Sequence, residues 1–130
     1  MNICGIKETC IYVTDLERTK EFYHTRLELP VISLVEGRHI FFRAGSSVLL
    51  CFIAAQTMNE TELPPHGANG SIHFAFEVAN DKYTSALQTI KTKGIFILQE
   101  QTWKNGLRSF YFRDPDQNLV EIVEEGLWES

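Results

Sequence analysis

Three polar residues, Glu8, His73 and Glu121, stand inside stretches that otherwise read as apolar strands. Side chains alternate faces along a strand. In the stretch 72–78, Ile72, Phe74, Phe76 and Val78 make an unbroken apolar face suited to covering helices, so His73, Ala75 and Glu77 point the other way. Glu8 shares a face with Ile6, Cys10 and Tyr12, and Glu121 shares one with Leu119 and Val123. A carboxylate or imidazole on the inside of a curved sheet is costly unless it is paired or bound to a cation. One divalent ion, with water completing its coordination, satisfies all three groups. Each also has a plainer account: Glu8 as a solvated strand-end carboxylate, His73 as a histidine hydrogen-bonded beside a loop, and Glu121 as the partner of a nearby arginine.

The elements that must carry these residues repeat. A strand at 6–13 is followed by a helix whose Thr14 and Glu17 have capping-box spacing. Leu16, Phe22, Tyr23 and Leu27 supply its apolar stripe, and Pro30 ends it. Strands are expected near 31–35, 38–43 and 47–54. A polar connector with Pro64-Pro65 and two glycines spans 56–70. The order then recurs: a strand at 71–78, a helix from Asn80 carrying Tyr83, Ala86, Leu87 and Ile90 with Gly94 as its cap, and strands near 95–100, 107–113 and 118–124. Asn105-Gly106 marks a tight turn between the first two of these strands.

The repeat can be read letter by letter. Arg38-His39-Ile40-Phe41-Phe42-Arg43 aligns with Arg108-Ser109-Phe110-Tyr111-Phe112-Arg113, 48–52 with 119–123, and 8–13 with 73–78. Glu8 and His73 thus occupy matching positions. The expected fold is α+β: two tandem βαβββ modules, 1–55 and 71–130, in one domain, forming a cupped, barrel-like mixed β-sheet with the helices outside.

Composition excludes several function classes. The 130 residues carry 12 Lys and Arg against 17 Asp and Glu, a net charge of −5. With no basic run or face, nucleic acid is not an expected partner, and an acidic surface discourages anionic membranes. The longest apolar stretch, 48–55, is far short of the roughly 20 residues that span a bilayer. The first residues show no charged leader followed by an apolar core, so no signal peptide is expected. Cys4, Cys10 and Cys51 are odd in number and lack metal-ligand spacing, and they read as free thiols in a cytoplasmic protein.

Three stretches together resemble the vicinal oxygen chelate superfamily, which includes glyoxalase I, extradiol dioxygenases, fosfomycin-modifying enzymes and bleomycin resistance proteins. They are Glu8-Thr9-Cys10-Ile11-Tyr12-Val13-Thr14-Asp15-Leu16, His73-Phe74-Ala75-Phe76-Glu77-Val78, and Arg113-Asp114-Pro115-Asp116-Gln117-Asn118-Leu119-Val120-Glu121. The resemblance spans essentially the whole chain and implies a metal in the cupped sheet, with ligands falling on Glu8, His73 and Glu121. Two departures stand out. The first-strand position is Glu where many members have His, and the position of a fourth ligand in glyoxalase I falls on Leu50, which cannot coordinate.

One imidazole and two carboxylates neutralise a dication and suit Mn²⁺, Mg²⁺ or Fe²⁺, with Zn²⁺, Co²⁺ and Ni²⁺ compatible. The set differs from the 2-His-1-carboxylate arrangement of non-haem iron oxygenases. The open positions would take vicinal oxygens of a small substrate and stabilise an oxyanion, with Glu8 or Glu121 as the catalytic base. The expected function is that of a metal-dependent glyoxalase-like lyase or isomerase acting on a small oxygenated or thiol-conjugated substrate. The alternatives are an extradiol-type dioxygenase and a metal-free drug- or metabolite-binding protein. His39, Trp103 and Tyr111 are the candidate substrate-binding residues. Arg113 reads as a turn-fixing ion-pair partner, Cys10 as a buried free thiol, His24 and His66 as surface residues, and Tyr12 and Trp128 as packing. The resemblance also implies a homodimer.

Overall fold

Ile11 and Val13 alternate with polar neighbours, and burying that face makes Glu8–Val13 the first strand, β1. The chain leaves it into a helix, α1, whose first turns run Leu16–Lys20 and whose last turns, Glu21–Arg26, are π-helical. Asp15, rather than the expected Thr14, caps it: its carboxylate accepts the backbone N–H of Arg18 at 3.1 Å. Thr14 instead accepts a hydrogen bond from the Arg18 guanidinium. The π turns carry an i to i+5 bond from Leu27 N to the Phe22 carbonyl. The wider turn lets the adjacent Phe22 and Tyr23 both bury, edge to face at 5.0 Å, with Tyr23 against Phe42. Full burial of two such rings stabilises by about 2–3 kcal/mol each. Exposing either would loosen α1 from its sheet.

The computed structural model describes residues 1–3, 5–57 and 70–128. Within them β2 (Val31–Val35), β3 (His39–Ala44) and β4 (Ser47–Ile53) complete the first module, and a short helix, α2 (Ala54–Thr57), follows where the connector was expected to begin. Cys4, His66 and Pro64-Pro65 lie outside the described residues. In the second module β5 is His73–Val78, a 3₁₀ turn at Asn80–Lys82 leads into α3 (Tyr83–Thr92), and β6 (Gln99–Thr102), β7 (Arg108–Arg113) and β8 (Leu119–Glu124) follow. The strand expected near 95–100 starts only at Gln99. Gly94, at φ +77°, reverses the chain after α3, and Ile95 then buries beside the helix it has left. Trp128 is 90% exposed and contributes no packing, contrary to expectation.

The α+β architecture of two βαβββ modules is present, with the strands in two four-stranded mixed sheets rather than a closed barrel. The orders are β1-β4-β3-β2 and β5-β8-β7-β6. In each, the first strand runs parallel to the fourth and the other neighbours are antiparallel. The chain divides into two compact units, Met1–Gly70 and Ser71–Ser130. In the second unit Tyr83, Leu87 and Ile90 of α3 are buried, as are Phe110, Phe112, Val120 and Ile122 of its sheet, with Tyr83 5.6 Å from Phe110. This packing takes up the helix side of the sheet. His73, Tyr111 and Glu121 stand on the other side. No helix among the described residues is long and apolar enough to cross a membrane.

Candidate metal centre

Strand register decides which polar groups meet. Leu119 lies opposite His73, Glu121 opposite Ala75, and Tyr111 opposite Glu121. His73 and Glu121 therefore sit on one face of adjacent strands, staggered by one pleat. His73 Nε2 is 3.2 Å from Glu121 Oε1. His73 Nδ1 is 3.0 Å from the Leu119 carbonyl, and because a carbonyl only accepts, Nδ1 carries the hydrogen. For a neutral ring, Nε2 then presents its lone pair to a carboxylate oxygen, so a proton or a cation must lie between them. Glu121 is 5% exposed, and its Oε2 is buried without a hydrogen-bond partner. A buried acidic oxygen left unsatisfied is costly, whereas a divalent ion would satisfy it together with Nε2. The donor set fits a metal.

The Asp114–Asn118 turn holds this pair in place. Asp114, almost fully buried, accepts hydrogen bonds from the backbone N–H groups of Asp116 and Asn118 and from the Asn118 amide, at 2.8–2.9 Å. The Asn118 side-chain oxygen, Oδ1, in turn accepts the Ile72 N–H at 2.9 Å, and Leu119 N donates to the Ile72 carbonyl. The start of β5 is thereby tied to the start of β8, next to His73 and two residues before Glu121. In the sequence this stretch reads as a family signature, with Arg113 followed by Asp114-Pro115 as a turn-fixing salt bridge, and Asn118 carries no assigned role. The spacing of a carboxylate and an amide four residues apart in a turn was the available signal. Arg113 does fix the turn, donating to the Gln117 carbonyl at 3.1 Å.

Tyr111 approaches the pair, its ring 6.1 Å from that of His73. Burial pushes its phenol up first; a hydrogen bond with Ser109 opposes this, and the Glu121 charge together with a hydrogen bond to the Glu121 carboxylate adds to it. Trp103 belongs to the hairpin turn closed between Trp103 and Leu107, and its indole donates to the Ser109 hydroxyl at 3.1 Å.

The remaining candidates lie in the first unit. Glu8 is exposed on β1 opposite Val48, on the face that also carries Cys10, Tyr12 and Leu50. Burial, and then the Glu8 carboxylate, push the Cys10 thiol up, which keeps it protonated and a poor ligand. His39 is buried and stacked on Phe41 at 4.0 Å. The Arg38 guanidinium only donates, so His39 Nδ1 accepts from it, and Nε2 donates to Ser33 Oγ at 3.0 Å. Both ring nitrogens of His39 are thus engaged within the unit. Among the described residues no three His, Cys, Asp or Glu side chains gather closely enough to hold an ion by themselves.

The duplicated β1-β4-β3-β2 and β5-β8-β7-β6 sheets, with an imidazole and a buried carboxylate facing each other in the second, define a class of small βαβββ proteins. Residues 6–126 match the family profile described as a glyoxalase-like domain. The chain belongs to that family, within the vicinal oxygen chelate superfamily. A lactoylglutathione lyase from Agrobacterium tumefaciens is 30% identical with a TM-score of 0.93, over 98% of this chain and 98% of that one. A glyoxalase/bleomycin resistance protein/dioxygenase from Nocardioides shares the fold, with 22% identity and a TM-score of 0.75 over 97% of this chain and 87% of that one. The glyoxalase domain-containing protein RDO1 of Mycosarcoma maydis is 25% identical over 126 residues, 94% of this chain and 69% of that protein.

Proposed function

We propose that the protein is a metal-dependent glyoxalase-like lyase or isomerase acting on a small oxygenated or thiol-conjugated substrate. The observation that carries this reading is the opposition of His73 Nε2 and Glu121 Oε1 at 3.2 Å beside a buried, unpartnered Oε2. His73 and Glu121 would hold the ion. Glu8, by its position in the family pattern, completes the ligand set, from the same chain or from a second copy. A divalent ion bound there supplies Lewis acidity toward two adjacent substrate oxygens.

The chain's own groups do the rest. Leu119 orients the imidazole by accepting its Nδ1 hydrogen on the backbone carbonyl, which fixes the tautomer and leaves Nε2 free to ligate. Tyr111 presents a hydroxyl on the same face as the pair. Glu8, the exposed carboxylate, is the group with freedom to take and return a substrate proton. The likeness to the lactoylglutathione lyase of Agrobacterium tumefaciens supports a thiol-conjugated substrate. Leu50, where a fourth ligand would stand, argues for a more open coordination sphere than in glyoxalase I. Small members of the superfamily pair, and the exposed Ile32, Leu34 and Val35 on edge strand β2 support a homodimer here.

Elemental analysis of protein purified without added metal tests the reading. About one equivalent per chain is expected, lost in Glu121→Gln and in Glu8→Gln. A metal-free protein that binds aromatic ligands through the ring cluster of His39, Phe41 and Phe52 would instead be a sequestering protein. Oxygen uptake on a catechol would point to the dioxygenase reading.

A further inference from the structure

His39 is a buried imidazole that the metal centre does not use, and the hydrogen bonds through it run in one direction. The Arg38 guanidinium has only donors, so His39 Nδ1 accepts from it. The hydrogen of the neutral ring then sits on Nε2, which donates to Ser33 Oγ at 3.0 Å. With its oxygen taken by His39, the half-buried Ser33 keeps its own hydroxyl hydrogen, and no group among the described residues accepts it. Ser33 lies opposite Phe41, on the face of the first sheet away from α1. Arg43 is the next residue of β3 on that face. It is exposed, and its guanidinium makes no hydrogen bond or ion pair among the described residues. Glu8 stands in the same row as Arg43, with Val48 between them. The second module differs at each matching position: Gln99 replaces Ser33, and Arg113 is occupied by the Gln117 carbonyl.

We propose that Ser33 and Arg43 form a carboxylate-binding site on the first module, and that the ligand is a small aryl carboxylate. One committed hydroxyl donor and one unpaired guanidinium, a pleat apart on adjacent strands, suit a planar anion with two oxygens. The ring of the ligand lies against Phe41, which is half-buried and held in place by stacking on His39 at 4.0 Å and by the edge of Phe52 at 5.3 Å. Arg38 and His39 are positioning residues here, because they act through the hydroxyl of Ser33. The site belongs to the first module alone and goes beyond the metal-dependent reading.

Benzoate is the probe, titrated by NMR into the whole chain with and without EDTA. Wild type should bind it equally in both, and should bind uncharged benzyl alcohol about tenfold more weakly. Arg43→Gln should weaken benzoate about tenfold, Arg43→Lys less, and Ser33→Ala about threefold. Lys91→Gln, the same loss of charge at an exposed position of α3, should leave it unchanged. A wild-type chain that does not bind benzoate, affinity untouched by Arg43→Gln, or benzyl alcohol bound as well as benzoate overturns the site. Binding abolished by EDTA overturns it too, since benzoate would then sit on a metal. Two-bond ¹H–¹⁵N correlations should show the His39 hydrogen on Nε2. A hydrogen on Nδ1 overturns the role of Ser33, whose hydroxyl would then be spent on the ring. A chain that takes up no metal yet binds benzoate through Arg43 overturns the proposed function and leaves this site standing.

Discussion

Superposing the repeats by strand register sets Glu8 against His73, Leu50 against Glu121, Phe41 against Tyr111 and His39 against Ser109. One scaffold thus carries two different interiors. In the first module the buried part of the face opposite the helix is aromatic and aliphatic, with His39 stacked on Phe41, Phe52 edge-on to both and Leu50 buried, while Glu8 stands exposed on β1. In the second the same face holds a buried carboxylate, an imidazole and a phenol. The supporting turns differ likewise. Between β3 and β4 the turn reverses through Gly45 at φ +59° with exposed bonds from Lys7 and Ser47 tying it to the chain entering β1, while between β7 and β8 a buried Asp114–Asn118 network takes its place. Functional asymmetry in a duplicated fold therefore lies in a few inward positions and in the turn that steadies them.

The sharpest way to break this contrast is to exchange the two interiors. Leu50→Glu would bury a carboxylate without the partners found in the second module and should cost about 3–5 kcal/mol in urea unfolding. A variant of wild-type stability would mean that the first sheet already has a cation or a route to water for that position. Asp114→Ala leaves two backbone N–H groups and the Asn118 amide without their acceptor. It should cost about 3 kcal/mol and weaken metal binding through His73, whereas substitution in the β3–β4 turn should leave metal binding alone. Glu121→Leu makes the second module resemble the first. In metal-free protein it should be neutral or stabilising by about 1 kcal/mol, because it removes a buried oxygen without a partner; clear destabilisation would show that the carboxylate is structural.

The smallest effect concerns the arginines that precede β3 and open β7. Arg38 turns to His39 and lies over Phe52, while Arg108 grips Glu124 with two side-chain bonds and lies over Tyr83. The Arg108 hydrogen bonds hold the Glu124 carboxyl below its ordinary range, against the opposing push of burial. A depressed folded pKa contributes stability above the unfolded value of about 4.3 and loses it as pH falls through the folded value. Wild type should therefore lose its advantage over Glu124→Gln as pH drops below about 4, and modestly, since the Arg108 side chain is 43% exposed. A difference between the two that stays constant down to pH 2 would remove Glu124 from the acid response.

Much of this was legible in the residues alone. Alternation in β5 and β8 put His73 and Glu121 on the face away from the helices, because side-chain direction in a strand follows from parity. The Arg-x-x-aromatic-aromatic-Arg echo revealed the duplication, since matching strands bury matching faces. Local chemistry was harder to read. Thr14 and Asp15 are both competent caps, and only the backbone geometry at the helix entry selected Asp15. The residues before β6 are apolar enough to suggest a strand, yet the reversal at Gly94 makes them a loop in which Ile95 buries while Phe96 and Leu98 stay exposed.

What chain order alone determined was which groups share a face and that the two halves are copies, because both follow from short periodicities. Tertiary structure decided which of those groups touch. The parallel register of β5 on β8 brought an imidazole nitrogen to 3.2 Å from a carboxylate whose residue lies 48 positions away. It also spent the other imidazole nitrogen on a backbone carbonyl and left one acidic oxygen unsatisfied. Those outcomes depend on pairing between distant strands, and no local pattern encodes them.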